Sequence, residues 1–496
     1  MTARGLRCRI LSSAVTTLLA LSGCSASLSK PPFWPVRHSD TRNTDHVNIG
    51  APDTVTPAWF FGPDIPVGTF AAVGGNGRIY THSYNAADKP RGPNAGCRLW
   101  ALDARTGEVA WCSKVVGAAL TSLALGADNS VFVADTNALF RFSANGRLLW
   151  RTLIPSETSA LTWLKDGSLL VADYAGNLAA YDPDNGELRT KPFRLPAAPY
   201  PKGEFTAAMA PGQLQAGVGA DYLPRLLDNF FGYGVVIKDM PAVEPRSGRI
   251  FIAANGEAGG STGQLWGIEI AARKGGASEF KVVCTEPIGR DSDTSPAVSA
   301  DGKTLYTAAS GTLFAIDTAT CRKRWTLARP GVAAASPTIT ADGRIHLMAG
   351  GTVTAFEDRG GSGREVWSVK ASERALAEGF PGGTFNSVVA SAGGRLYVTA
   401  TYGHEQRGWI FPLAHRLFVL DAADGRVLST AELGAESDST PTIGPDGWIY
   451  VPTKSLAHAH AISLKLLLQL PTELAALPLP APRNGVYAFR PTSGDR

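Results

Sequence analysis

Charge is what this 496-residue chain is short of. Only 18% of its residues are Asp, Glu, Lys or Arg, against roughly 25% in an average soluble protein. With 44% hydrophobic residues beside them, this excludes a disordered polyelectrolyte. Glycine and proline together reach about 18%, under the roughly 25–30% of low-complexity chains. Cysteine is scarce, six in all, and none is spaced as CxxC or CxxCH. Zinc ribbons and c-type haem attachment therefore have no support. The net charge of +4 is small, and Arg4, Arg7 and Arg9 carry three of those charges. The remainder of the chain is nearly neutral, a poor match to a dedicated nucleic-acid or acidic-membrane binder. The leading apolar run, 10–21, is too short to cross a ~30 Å hydrocarbon core as a helix.

That run comes directly after the basic residues and ends in Leu21-Ser22-Gly23-Cys24, the layout of a cleavable export signal. Small residues directly before a cysteine resemble the bacterial lipobox. The resemblance implies a signal peptide over 1–23, a diacylglyceryl group on the sulfur of Cys24, and a tether over 24–35. Two or three acyl chains would anchor the protein stably. Ser25 rather than aspartate stands after the cysteine, which by lipoprotein sorting rules implies the outer membrane in a Gram-negative source. Cys97, Cys112, Cys284 and Cys321 then remain, an even set that suits an oxidising compartment.

Repetition, by contrast, is abundant. Leu99-Trp-Ala-Leu-Asp103 leads through a short turn to Trp111, and Gly311-Thr-Leu-Phe-Ala-Ile-Asp317 leads likewise to Trp325. The same phrase recurs around residues 143, 182, 269, 357, 421 and 490. Upstream of each lies a second phrase, clearest at Ser295-Pro-Ala-Val-Ser-Ala-Asp-Gly302 and Thr440-Pro-Thr-Ile-Gly-Pro-Asp-Gly447. Short apolar runs around Asp-Gly turns signal β-hairpins. Each unit therefore reads as four antiparallel strands, a to d, and eight units of about 40 residues read as an all-β, eight-bladed β-propeller. The last unit stops without a d strand, and the first is preceded by an unmatched strand, Pro57–Phe61. That N-terminal strand is expected to complete the last blade and close the ring. Trp59, Trp111, Trp150, Trp325 and Trp367 are expected to pack between neighbouring blades. Val283, Thr190 and Ser429 stand near the equivalent place elsewhere.

The phrase at 99–111 resembles the quinoprotein (PQQ-like) repeat almost letter for letter, and Trp34-Pro-Val-Arg-His-Ser-Asp40 resembles the usual start of such chains. The resemblance covers about 33–490 and implies a propeller over 36–496, with insertions at 190–238 and 455–483. Quinoprotein dehydrogenases of this fold use PQQ, a calcium-bound carboxylate set and, in many members, a disulfide between adjacent cysteines. No adjacent cysteines occur here, and no matching carboxylate set can be placed on the blades. No catalytic residue and no cofactor is therefore assigned, PQQ and calcium remaining the alternative. Eight blades, a lipobox and no quinone centre resemble the BamB-like outer-membrane assembly lipoproteins.

The long connections fall on one face, where b–c and d–a loops emerge; the a–b and c–d turns opposite are short. Loops on a rigid scaffold carry binding more often than packing. The candidates on that face are Phe230, Phe231 and Tyr233 in one apolar insertion, Tyr402 and Trp409 in another connection, and Asp293 and Asp438 near the channel mouth. His82, His404, His415, His458 and His460 share the face, but no three- or four-ligand spacing converges, so no metal is assigned. Cys97 and Cys112 lie diagonally across one hairpin, and Cys284 and Cys321 lie on adjacent blades. Two disulfides or free buried thiols are the alternatives. The expected function is a non-catalytic envelope lipoprotein that binds other envelope proteins through this face. A PQQ-dependent dehydrogenase and a small-molecule or glycan binder at the channel mouth compete with it.

Overall fold

The computed structural model describes residues 30–63, 70–83, 95–117, 123–198, 236–237, 239–256, 263–272, 277–289, 294–309, 311–329, 336–406, 409–453 and 483–492. They form eight sheets, each built on four antiparallel strands. Blade one, for instance, runs Ala72–Gly75, Arg78–His82, Leu99–Asp103 and Val109–Ser113. The inner strands carry nearly unbroken apolar runs because both faces are covered by neighbouring blades. Ile250–Asn255 and Thr304–Ala309, for example, are buried throughout.

The ring closes as expected. Val55–Phe61 pairs with Gly485–Pro491 as the outermost strand of blade eight. Arg105 of blade one also pairs with Asp446 of blade eight and lies over the Trp448 ring. No open sheet edge is left between the chain's two ends.

The tryptophans explain the repeat. Each docks on the c–d turn of the next blade. Trp59 donates to Ala104 O, Trp111 to Ala144 O at 2.9 Å, Trp150 to Pro183 O at 3.0 Å, and Trp367 to Ala422 O at 3.1 Å. Trp325 instead reaches Asp358 Oδ1 at 2.8 Å. The indole lies flat on the turn glycine. Gly425 has φ +76°, and a Cβ there would sit 2.5 Å from the Trp367 ring. Gly425→Ala combines that overlap with a left-handed backbone and should cost about 2 kcal/mol, read as a lower urea midpoint. An unchanged midpoint would show that the indole does not bear on this turn.

At the junction of blades four and five a covalent bond takes over this contact. By register Cys284, opposite Gly267, occupies the tryptophan position, one residue beyond Val283. Cys321, with φ +59°, stands where other turns have glycine. The two are disulfide-bonded. Cys97 and Cys112 are also bonded, within blade one.

Three boundaries differ from expectation. The tether expected over 24–35 ends sooner, because Lys30–Trp34 is a strand paired with Ala72–Gly75. Pro31 and Pro32 hold it extended, and Trp34 is fully buried. The insertion expected from 190 starts later, since Phe193–Arg194 is the outer strand of blade three. The c–d connection of blade four, 272–278, is also longer than the tight turns elsewhere.

Candidate functional site: the axial segment and the elaborated face

Residues 30–53 form an axial segment that lines the innermost strands of the ring. Backbone bonds tie Pro35 O to Leu125 N, Thr41 O to Val243 N, Arg42 O to Val298 N, Thr44 O to Ile339 N and Asp45 O to Ser391 N. One stretch of chain thus touches the innermost strands of blades two, four, five, six and seven. His46–Val47 then pairs parallel to Ala390–Ala392. Bending tightly enough to do this puts Ser39, Asn43 and Asp45 at positive φ, a conformation that short polar side chains tolerate best. Asn43 Nδ2 donates to Met240 O at 3.2 Å and Pro296 O at 2.9 Å.

At the centre His38 Nδ1 lies 2.7 Å from Asp45 Oδ2, and Nε2 lies 2.9 Å from Ser295 Oγ. The Met240 amide donates to the same Oγ at 3.1 Å. Every donor meets an acceptor when Nδ1 carries the ring proton and Ser295 donates to Nε2. The order Ser–His–Asp is that of an activated nucleophile. All three side chains are fully buried, which closes Ser295 Oγ off from solvent in this structure. The arrangement acts as a lock that fastens the axial segment to blade five. Burial pushes the Asp45 carboxyl above the usual carboxylate range, and its Oδ1 has no partner among the described residues.

Among the described residues the b–c and d–a face is built up most at blade seven. Its b and c strands, Arg395–Gln406 and Trp409–Asp421, are 12 and 13 residues long. Gly382–Phe385 adds a further strand beside this hairpin, and a short helix, Ala371–Ala377, precedes it. The connection expected at 402–415 is therefore a paired hairpin.

The candidate residues fare unevenly. Tyr402 is corrected: its side chain is fully buried, with ring centroids 5.3 Å from Phe380 and 6.2 Å from Phe418, so it supports the hairpin and offers no surface. Arg416 covers it and reaches Glu378 at 3.4 Å. Trp409 lies at the start of the hairpin's second strand. Asp438 is half-buried just before the a strand of blade eight. Cys24, Phe230, Phe231, Tyr233 and Asp293 lie outside the described residues. His415 is buried beside Thr401 Oγ1 at 3.0 Å and is held down to about 4 by that burial. Sequence reasoning missed His38, Asp45 and Ser295. The only signal was the cluster of short polar residues in 38–45.

A quinone centre with calcium requires converging carboxylates. Among the described residues no group of three His, Cys, Asp or Glu side chains converges on one point. Asp45, the buried carboxylate of the axial segment, is already committed to His38. The described residues do not fit that centre.

Residues 46–192 and 252–441 match the family described as outer membrane protein assembly factor BamB. The chain belongs to this family. It is also 23% identical over 342 residues to Protein Rv3035 of Mycobacterium tuberculosis, covering 67% of this chain and 75% of that one. Two solved structures share the fold. A europium-containing methanol dehydrogenase matches with TM-score 0.59 and 14% identity, over 93% of this chain and 99% of that one. The quinohemoprotein alcohol dehydrogenase from Comamonas testosteroni matches with TM-score 0.59 and 12% identity, over 94% of this chain and 81% of that one. The BamB family and these dehydrogenases thus have one architecture, and architecture alone does not decide chemistry.

Proposed function

We propose that this BamB-family chain is a non-catalytic, lipid-anchored scaffold of the cell envelope. It binds other envelope proteins through the face that carries the b–c and d–a connections. The observation that carries the reading is the blade-seven hairpin. Its 12- and 13-residue strands stand beside strands of five or six residues in blade five or eight. The hairpin is braced from within by Tyr402, Phe380 and Arg416, and beside it Leu376 is 62% exposed. A rigid projection with an apolar neighbour suits protein contact better than turnover of a small substrate. The lipid anchor rests on Leu21-Ser22-Gly23-Cys24.

Crosslinking in intact cells, with purification in detergent afterwards, tests this. The full-length chain should retain specific envelope proteins. A variant with 403–413 replaced by a two-residue turn should keep its thermal midpoint and lose them. Identical partners with both forms would overturn the assignment to this face. Alcohol oxidation on addition of PQQ and calcium would overturn the non-catalytic reading.

A further inference from the structure

The path of the axial segment fixes which way the propeller faces its membrane. Lys30 pairs with Gly75, at the a–b turn of blade one. Asn129, in the a–b turn of blade two, donates to Lys30 O at 2.9 Å and accepts from Gly75 N at 2.7 Å. The backbone at Lys30 and Pro31 crosses Gly75 so closely that a Cβ there would overlap both carbonyls. Lys30 is thus pinned at the turn face, beside the innermost strand of blade one. From there the segment runs beside blade one to Trp34, passes along the innermost strands of blades two, four, five and six to blade seven, and runs out to Asp53, which pairs with Arg395 at that blade's a–b turn.

Five residues, Ser25–Ser29, separate Lys30 from Cys24. Fully extended, that stretch reaches about 20 Å. The blade-seven b strand starts at its own a–b turn and runs 12 residues toward the other face, a rise of roughly 40 Å. A sulfur tethered within about 20 Å of the turn face therefore cannot enter a bilayer that lies against the hairpin tip. The outer edge of blade one is no easier. It lies four strand spacings from Lys30, roughly 19 Å at about 4.8 Å each, which would consume the whole tether. The turn face itself needs no such stretch.

We propose that the a–b and c–d turn face lies against the membrane, and that the face bearing the blade-seven hairpin points away from it into the aqueous compartment. This rests on acylated Cys24 and so deepens the reading given above. The partner of the turn face is a lipid surface. The hairpin face is left free for proteins that approach from the aqueous side or reach up from the membrane.

The test uses the full acylated chain, purified from membranes and checked by mass spectrometry for acyl groups on Cys24. Two single variants carry an environment-sensitive dye: Asp424→Cys, in the blade-seven c–d turn, and Leu376→Cys, on the helix of the opposite face. Both parent side chains are exposed. In phosphatidylethanolamine–phosphatidylglycerol vesicles bearing head-group nitroxide lipids, the dye at 424 should be quenched at least twofold more than the dye at 376. Equal quenching, or stronger quenching at 376, on acylated protein would overturn the orientation while leaving the anchor intact. Absence of acyl groups on Cys24 would overturn both. A third form with fifteen Gly-Ser residues inserted after Ser27 should lose the difference, since the longer tether no longer restricts the propeller.

Discussion

Replacing His38 by alanine is expected to destabilise the folded chain by about 3 kcal/mol, the order of cost of leaving a buried carboxyl group without its hydrogen-bond donor. The imidazole links Asp45 to Ser295 at 2.7 and 2.9 Å, with all three side chains buried. Without it Asp45 Oδ2 loses its donor, and Oδ1 has none among the described residues. A carboxylate so placed must be protonated or leave the axis, and the bends at Ser39, Asn43 and Asp45 then lose their support. The double variant His38→Ala, Asp45→Asn should recover part of the loss, because asparagine carries no charge and tolerates the positive φ. Urea unfolding of the two variants and the parent decides the matter. An alanine variant as stable as the parent would show that the axial segment is held by its backbone bonds alone. Ser295→Ala should cost less, about 1 kcal/mol, since it removes a neutral hydrogen bond.

The ring was legible because its contacts repeat. Each Trp and each turn Gly recur at the same offset, so the contact between Trp111 and Gly146, or Trp367 and Gly425, leaves a visible period. Cys284 and Cys321 are the instructive exception. They occupy the Trp and Gly places of one junction, yet no pattern of residue type marks them, and only the strand register shows the equivalence. The axial segment left no period at all. His38 meets a serine 257 positions away, and His46 meets Ser391 345 positions away. Such contacts are made once, between short polar residues, and a single sequence carries no trace of their pairing. The blade-seven hairpin was hidden differently. Gly403 and Pro412 sit where its register shifts, and these residues read as loop residues. Tyr402 looked like a surface aromatic for the same reason. Once the strands continue past it, its ring has to turn inward against Phe380.

Acid should unfold this protein earlier than its surface carboxylates require. His346 is fully buried beside the Trp367 ring, 5.6 Å between centroids, and burial holds its imidazole down to about 4, against the weaker opposing influences of the Ala422 backbone and Asp342. His415 is held down to about 4 by burial and by the adjacent Arg416. In both cases the folded value lies below the unfolded value of about 6.5. As pH falls below about 6.5 the unfolded chain takes up protons that the folded chain refuses, so stability present above that pH is lost. By pH 5 each histidine should have removed about 2 kcal/mol, and the loss should level off only once the folded rings themselves protonate near pH 4. His346→Phe keeps a ring against Trp367 and removes two buried nitrogens that make no well-formed hydrogen bond among the described residues. It should leave stability at pH 7.5 unchanged or slightly raised and make the fall between pH 7.5 and 5 shallower by about 2 kcal/mol. Urea midpoints at the two pH values, for parent and variant, measure this directly. Parallel acid curves for the two proteins would show that His346 is protonated in the folded state at pH 5, and that blade six opens to water at that pH.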